Sequence, residues 1–203
     1  MHRIPVTIFI RTSTVLCGFV LLLVLLLPGM AASGSTTFPR LATANGDPTV
    51  RLQTTPIQGN VGDLFTTRIY ADNITNASGL GNWQASIDYA PAILAVNSVT
   101  FGAGLGSTGR PVGNVGPTSS IGKVTLGQFS FGTQNGPTGS SIQLATIVWR
   151  GVGDGVSNLD LNTSRLLDID AVLLTPLIEL DGWVVVGDVP GQNRLWLPMA
   201  FHH

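Results

Sequence analysis

Of the chain's 203 residues only 10% are Asp, Glu, Lys or Arg, against 44% hydrophobic, and the formal net charge is −1 at pH 7. Average globular proteins are about 25% charged, so this composition excludes a disordered solvating tail and a basic nucleic-acid binder. Histidine occurs only as His2, His202 and His203 and cysteine only as Cys17, which leaves the body of the chain without the imidazole of a Ser-His-Asp site or the ligands of a zinc site.

In chain order, Arg3 and Arg11 precede an uncharged apolar run from Val15 to Leu27, which Pro28-Gly29 breaks before the small residues Ala31, Ala32 and Ser33. That is the layout of a secretory signal peptide over residues 1–33. It predicts a secreted protein, extracellular or at the cell surface, with no membrane span once the segment is cleaved. The alternative is an uncleaved anchor, since the uncharged stretch from Thr12 to Pro39 exceeds the ~20 residues a bilayer needs. Leu16 stands before Cys17 where a lipoprotein signal needs a small residue, so lipid attachment is not expected. Cleavage near Ser33 removes Cys17, and a domain without disulfides must be held by its core.

Residues 34–47 are rich in Ser, Thr, Gly and Ala, lack periodicity and predict a linker. A folded domain is expected over 48–190. Short runs with period-two alternation cover 49–54, 64–72, 82–89, 93–101, 121–131, 142–150, 159–162, 171–178 and 183–189, separated by Gly, Asn, Pro and Ser, with no amphipathic helix. Their spacing of about ten residues predicts an all-β, antiparallel sandwich or jelly roll. In the run 82–89, alternation sends Trp83, Ala85, Ile87 and Tyr89 to one face and Asn82, Gln84, Ser86 and Asp88 to the other. The same logic points Phe65, Thr67, Ile69 and Ala71 inward, and Ala145, Ile147 and Trp149 likewise. A one-residue slip would bury the polar set, so the assignments support one another.

The segment Gly79 to Val96, GLGNWQASIDYAPAILAV, resembles the part of a cohesin domain where a glycine-led strand enters a tyrosine-aspartate-proline turn and then a leucine-valine strand. Val61-Gly62-Asp63-Leu64-Phe65 with Ile69-Tyr70-Ala71-Asp72-Asn73 is similar to that family's opening strand, Leu144 to Trp149 to its leucine-alanine-x-isoleucine-x-phenylalanine strand, and Asp181 to Val186 to its closing strand. The resemblance implies a secreted nine-stranded jelly roll that binds a dockerin module, typically to assemble polysaccharide-degrading enzymes on a scaffold. It carries the family's polar recognition positions onto Asn82 and Gln84, with Ser86 and Asp88 completing the partner-binding set on the same strand face. Two departures are Ala90, where the turn has its aspartate, and Gln84, where members often have an aspartate. A neutral amide hydrogen-bonds without charge assistance.

Other chemistry is weaker. Gly104-Leu105-Gly106-Ser107-Thr108-Gly109 fits a dinucleotide-binding glycine pattern, but Arg110 to Pro117 cannot supply the helix behind it, so a loop is expected. Glu179 is the only glutamate, and a two-carboxylate hydrolase site would have to draw on aspartates that mostly adjoin turns. Asp168 and Asp170 would share a strand face, where calcium is conceivable but solvent exposure is preferred. No cofactor or metal and no nucleic-acid partner are therefore expected. The alternative function is a carbohydrate-binding module, for which Tyr70, Trp183 and Trp196 are the candidate exposed rings. Sequons begin at Asn73, Asn76 and Asn162, and the tail 191–203 contains the apolar stretch Leu195 to Phe201, too short to span a membrane.

Overall fold

In a computed structural model of the chain the described residues are 46–188. The signal-like segment, nearly all of the 34–47 linker, and the 191–203 tail lie outside them. The strands are β1 (Thr49–Thr55), β2 (Gln58–Gly59), β3 (Leu64–Ile74), β4 (Leu80–Tyr89), β5 (Leu94–Phe101), β6 (Val112–Ser120), β7 (Lys123–Ser130), β8 (Gly139–Gly151), β9 (Gly155–Asp168), β10 (Ile178–Leu180) and β11 (Gly182–Val186). A five-stranded sheet, β10-β1-β3-β8-β5, faces a six-stranded one, β2-β11-β9-β4-β7-β6. Every pairing is antiparallel except β1 with β10 and β2 with β11, which are parallel. The predicted sandwich is present, with eleven strands rather than nine and two mixed sheets. No helix among the described residues is long and apolar enough to cross a membrane.

Alternation builds the core. Phe65, Thr67, Ile69 and Ala71 from β3 are fully buried, as are Ala145, Ile147 and Trp149 from β8 and Ala85 and Ile87 from β4, with Trp83 beside them at 1% exposure. Each buried indole contributes on the order of 2–3 kcal/mol through its apolar area, and each also finds an acceptor. Trp83 Nε1 donates to Gln128 Oε1 at 3.1 Å, and Trp149 Nε1 donates to Thr67 Oγ1 at 2.9 Å. Thr67 Oγ1 in turn lies 2.9 Å from Thr54 Oγ1. This is why an inward-facing threonine is tolerated between Phe65 and Ile69. Thr67→Val keeps the shape and removes the acceptor, so it should cost about 1–3 kcal/mol through the stranded indole N–H, measured as a lower urea midpoint with an unchanged slope.

Three sequence expectations are corrected. The run 159–162 is the visible part of a much longer strand, β9, whose burial parity flips: Leu159 and Leu161 point inward before the register shift opposite Gln84 and Ser86, and Leu166 does so after it. An inserted residue of this kind moves every later side chain to the other face. The run 171–178 is mostly not a strand. Ala171 has φ of +60°, Leu173 makes one isolated bridge to Leu167, and Pro176 cannot donate to a ladder. Finally, the expected loop 104–117 holds a single 3₁₀ turn, Gly104–Gly106, and then the start of β6. With a strand where a phosphate-binding helix would have to be, the glycine pattern there is structural.

Candidate functional site

Strand β4 lies inside the six-stranded sheet, flanked by β9 and β7, with β6 at the edge. Its outward residues fall into four rows set by the register. Asn82 lies between Leu167 and Phe129, Gln84 between Arg165 and Gly127, Ser86 between Asn162 and Thr125, and Asp88 between Asp160 and Lys123. Strand β6 extends the rows with Gly113 opposite Phe129 and Val115 opposite Gly127.

The sequence-predicted residues divide into two pairs. Ser86 is buried, at 8% exposure, and its hydroxyl lies 2.8 Å from Thr125 Oγ1. Asp88 accepts from Asn162 Nδ2 at 3.0 Å and sits 3.2 Å from Lys123 Nζ, an ion pair rather than an aligned hydrogen bond. The Asn162 hydrogen bond and, secondarily, Lys123 hold the Asp88 carboxyl below the usual carboxylate range, against some burial. Ser86 is thus held by a hydroxyl and Asp88 by an amide and an ammonium, all within the sheet. Gln84 is exposed and Asn82 half-buried, and among the described residues neither amide side chain takes part in a hydrogen bond.

The free amides have apolar neighbours that the sequence reading missed. Phe129 is 41% exposed, Phe131 55% and Val115 53%, and the two phenylalanine rings lie 6.3 Å apart. Two glycines shape this half of the face. A Cβ on Gly113 would come 2.4 Å from Phe129 Cζ, so the glycine lets the ring lie down against β6. Gly127 leaves Gln84 with no side-chain neighbour on the β7 side and would clash with Trp83 O at 2.6 Å if it carried one. Phe129 had a readable signal, because Val124 and Leu126 point inward and the same alternation sends Phe129 out. Val115 had none, since β6 is exposed along nearly its whole length and shows no apolar period.

At the opposite end of the face, burial first, then repulsion from Asp181 and Asp88, raises the Asp160 pKa. A raised carboxylate pKa means the native state prefers the proton, so ionised Asp160 opposes folding above the ordinary carboxylate range and the opposition fades as pH falls below it. Asp160→Asn should therefore raise the urea midpoint at neutral pH, and the gain should vanish at about pH 3, below the ordinary Asp value. Asp88 runs the other way, favouring the fold above that range and losing the effect as pH drops through its lowered value.

The remaining candidates are accounted for. Asp168 ends β9 and Asp170 lies in the turn after it, so they do not share a strand face; Asp168 Oδ1 accepts the backbone N–H of Asp170 and of Val172, both at 2.9 Å. Among the described residues no three His, Cys, Asp or Glu gather as metal ligands. Tyr70 is half-buried with the Arg51 guanidinium 4.6 Å above its ring, Trp183 is half-buried, and Trp196 is outside the described residues. Ala90, replacing the turn aspartate, donates its N–H to Ser157 Oγ at 3.0 Å, so the turn is anchored from β9 instead.

No family model matches the chain, and no curated protein does. Solved structures do. A non-cellulosomal cohesin from Archaeoglobus fulgidus matches with a TM-score of 0.55 at 15% identity, covering 70% of this chain and 93% of that one. The third cohesin of an Acetivibrio cellulolyticus scaffold protein, in complex with a dockerin, matches with a TM-score of 0.57 at 16% identity, covering 70% and 99%. A Clostridium thermocellum cohesin from a type I cohesin–dockerin complex gives 0.56 at 13%, covering 74% and 100%. The four segments singled out in the sequence occupy β3, β4 with β5, β8 and β11 of this architecture. The chain therefore has the cohesin fold.

Proposed function

We propose that the chain is a non-catalytic protein-binding module of cohesin type that receives a dockerin-type partner on the outward face of β4, β7 and β6, outside the cell. The observation that carries this reading is the pairing of two unengaged amides, Asn82 and Gln84, with exposed Phe129, Phe131 and Val115 where interior strands β4 and β7 meet edge strand β6. An apolar centre beside a few directional polar groups is the anatomy of a protein interface. Backbone pairing on both sides of β4 fixes those side chains before any partner arrives, which limits the entropy lost on binding. Gln84 contributes hydrogen bonds without charge, and Arg165 is the nearest cation across the sheet. Affinity is then dominated by ring burial, and the complex tolerates salt better than one built on ion pairs.

Support for a dockerin as the partner comes from the fold and from the complexes in which such folds have been seen. Export is supported by the signal-like layout of residues 1–33 and a body without cysteine. The test is a binding screen of the chain against a panel of labelled dockerins. At least one should be retained, and Phe129→Ala should weaken it by about 30-fold, the consequence of losing an interface hot spot of roughly 2 kcal/mol. Retention of none of them would sink the reading.

A further inference from the structure

The outward face of the other sheet has a different chemistry. Because Val50, Leu52, Ile69, Ile147 and Trp149 point into the core, the intervening residues of β1, β3 and β8 turn Arg51, Arg68, Tyr70 and Arg150 outward. The chain's acids are almost excluded from these strands. Asp72 alone shares the face; it is 5% exposed and held by Arg51, with Nε to Oδ2 at 2.7 Å. Arg51 is thus neutralised, and it also covers the Tyr70 ring. Arg68 and Arg150 make no ion pair among the described residues. Arg68 lies opposite Thr146, and Arg150 is four residues further along β8, so at about 3.3 Å per residue the two cations are roughly 13 Å apart. Between and beside them run hydroxyls and an amide in two rows, Thr55, Thr66 and Ser98 in one, with half-buried Val148 among them, and Gln53, Thr146 and Thr100 in the other; Gln53 Oε1 accepts from Arg51 and Thr146 Oγ1 from Gln143, which leaves the Gln53 amide N–H and the Thr146 O–H to donate outward.

We infer that this face binds a linear acidic polysaccharide, with Arg68 and Arg150 each engaging a carboxylate and the threonine, serine and glutamine side chains hydrogen-bonding the sugar hydroxyls between. A guanidinium presents a fork that matches a carboxylate bidentately, which gives a sparse pair of charges directional value. The spacing disfavours a nucleic-acid duplex, whose charge of one per ~1.7 Å would call for a denser cationic track. A peptide adding as a strand is also disfavoured, because β1, β3 and β8 are interior strands paired on both sides. Half-buried Val148 between the arginine rows and exposed Leu64 opposite Arg150 are the apolar side chains there, too small a pair to anchor in a lipid surface. Stacking on Tyr70 plays no part, since Arg51 already occupies the ring. This site is separate from the β4, β7 and β6 face, so a module could hold a protein partner on one sheet and a glycan on the other.

The test is native affinity electrophoresis of the full chain in gels containing polygalacturonate, in parallel with the methyl-esterified polymer, and with binding to a short DNA duplex and to phosphatidylserine vesicles measured separately. Polygalacturonate should retard the protein, the methyl ester should not, and Arg68→Gln with Arg150→Gln should weaken retardation at least about tenfold while leaving the thermal midpoint unchanged. Retardation should fall as ionic strength rises and should survive Phe129→Ala, which separates it from the dockerin reading. Absence of retardation, equal retardation by the ester or of the double variant, insensitivity to salt, or tighter binding to DNA or vesicles would overturn the inference.

Discussion

Trp83→Ala should lower the unfolding free energy by about 3–5 kcal/mol, the range for removing a large aromatic side chain from a packed core. The residue is 1% exposed, its ring lies 6.3 Å from that of Phe101, and it contacts the opposite side of the strand that presents Asn82 and Gln84. Two costs add. The indole leaves a cavity that the paired strands cannot close, and Gln128, itself 4% exposed, loses the N–H that its Oε1 accepts, keeping only its bond to Asn114. Trp83→Phe separates these terms, because it refills most of the volume but not the hydrogen bond, and should cost about 1–3 kcal/mol, the part due to the lost hydrogen bond. Urea denaturation followed by far-ultraviolet circular dichroism reads both. A change below about 1 kcal/mol for Trp83→Ala would mean that the core does not rest on this side chain as described.

Arg110→Met is expected to have the next largest effect, about 2–3 kcal/mol. Arg110 is 4% exposed and makes no ion pair among the described residues. Its guanidinium instead donates to backbone oxygens and a hydroxyl: Nε to Ser130 Oγ at 3.0 Å, Nη1 to the Gly132 carbonyl at 2.9 Å and to that of Gln134, and Nη2 to the Ser130 carbonyl at 3.4 Å. Ser130 Oγ passes the contact on to the Gly81 carbonyl at 3.0 Å. One cation thus ties the 130–134 segment, including Phe131, to the start of β4. Methionine matches the length but leaves those carbonyls without a donor. Lysine offers a compact ammonium in place of a five-donor fork and should recover less than half of the loss. Hydrogen exchange of the amides from Phe131 to Gly136 should accelerate in Arg110→Met before the rest of the domain is affected; unchanged exchange there would refute the anchoring role.

The sandwich was legible wherever alternation ran unbroken. Phe65 to Ala71, Trp83 to Tyr89 and Ala145 to Trp149 keep a strict period of two, and all of their inward residues except the strand-end Tyr89 are buried as the pattern requires. Tyr89 is half-buried, tilted against Trp149 with ring centroids 5.0 Å apart. Legibility failed where the period is interrupted or absent. The bulge in β9 flips parity between Leu161 and Leu166, so most of that strand looked like loop, and a second register shift separates Leu144 from Ala145 on β8 in the same way. Edge strand β6 needs no buried face and accommodates Gly116 and Pro117 at its own register shift between Val115 and Thr118, which reads in sequence as a turn.

The candidate site was half legible for the same reason. Alternation alone set Asn82, Gln84, Ser86 and Asp88 on one side, but it cannot tell an engaged polar group from an available one. Only the cross-strand neighbours Thr125, Lys123 and Asn162, far away in sequence, take Ser86 and Asp88 out of play. The apolar half depends on Phe129 and Val115 meeting beside Gln84 across two pairings that no local spacing encodes. Arg110 illustrates the limit most sharply, because a lone arginine before proline in a glycine-rich stretch gives no hint that it is a buried strut.

The central claim, that the outward face of β4, β7 and β6 receives a protein partner, is tested most directly by mapping backbone amide shifts during titration of the ¹⁵N-labelled chain with a dockerin retained in the screen. The expected result is a cluster of perturbed amides at Asn82, Gln84, Val115, Gly127 and Phe129, with those of Arg68, Thr146 and Arg150 on the opposite sheet unmoved. A cluster centred on the opposite sheet, or tight binding that leaves the Asn82 to Phe129 region unperturbed, would contradict it.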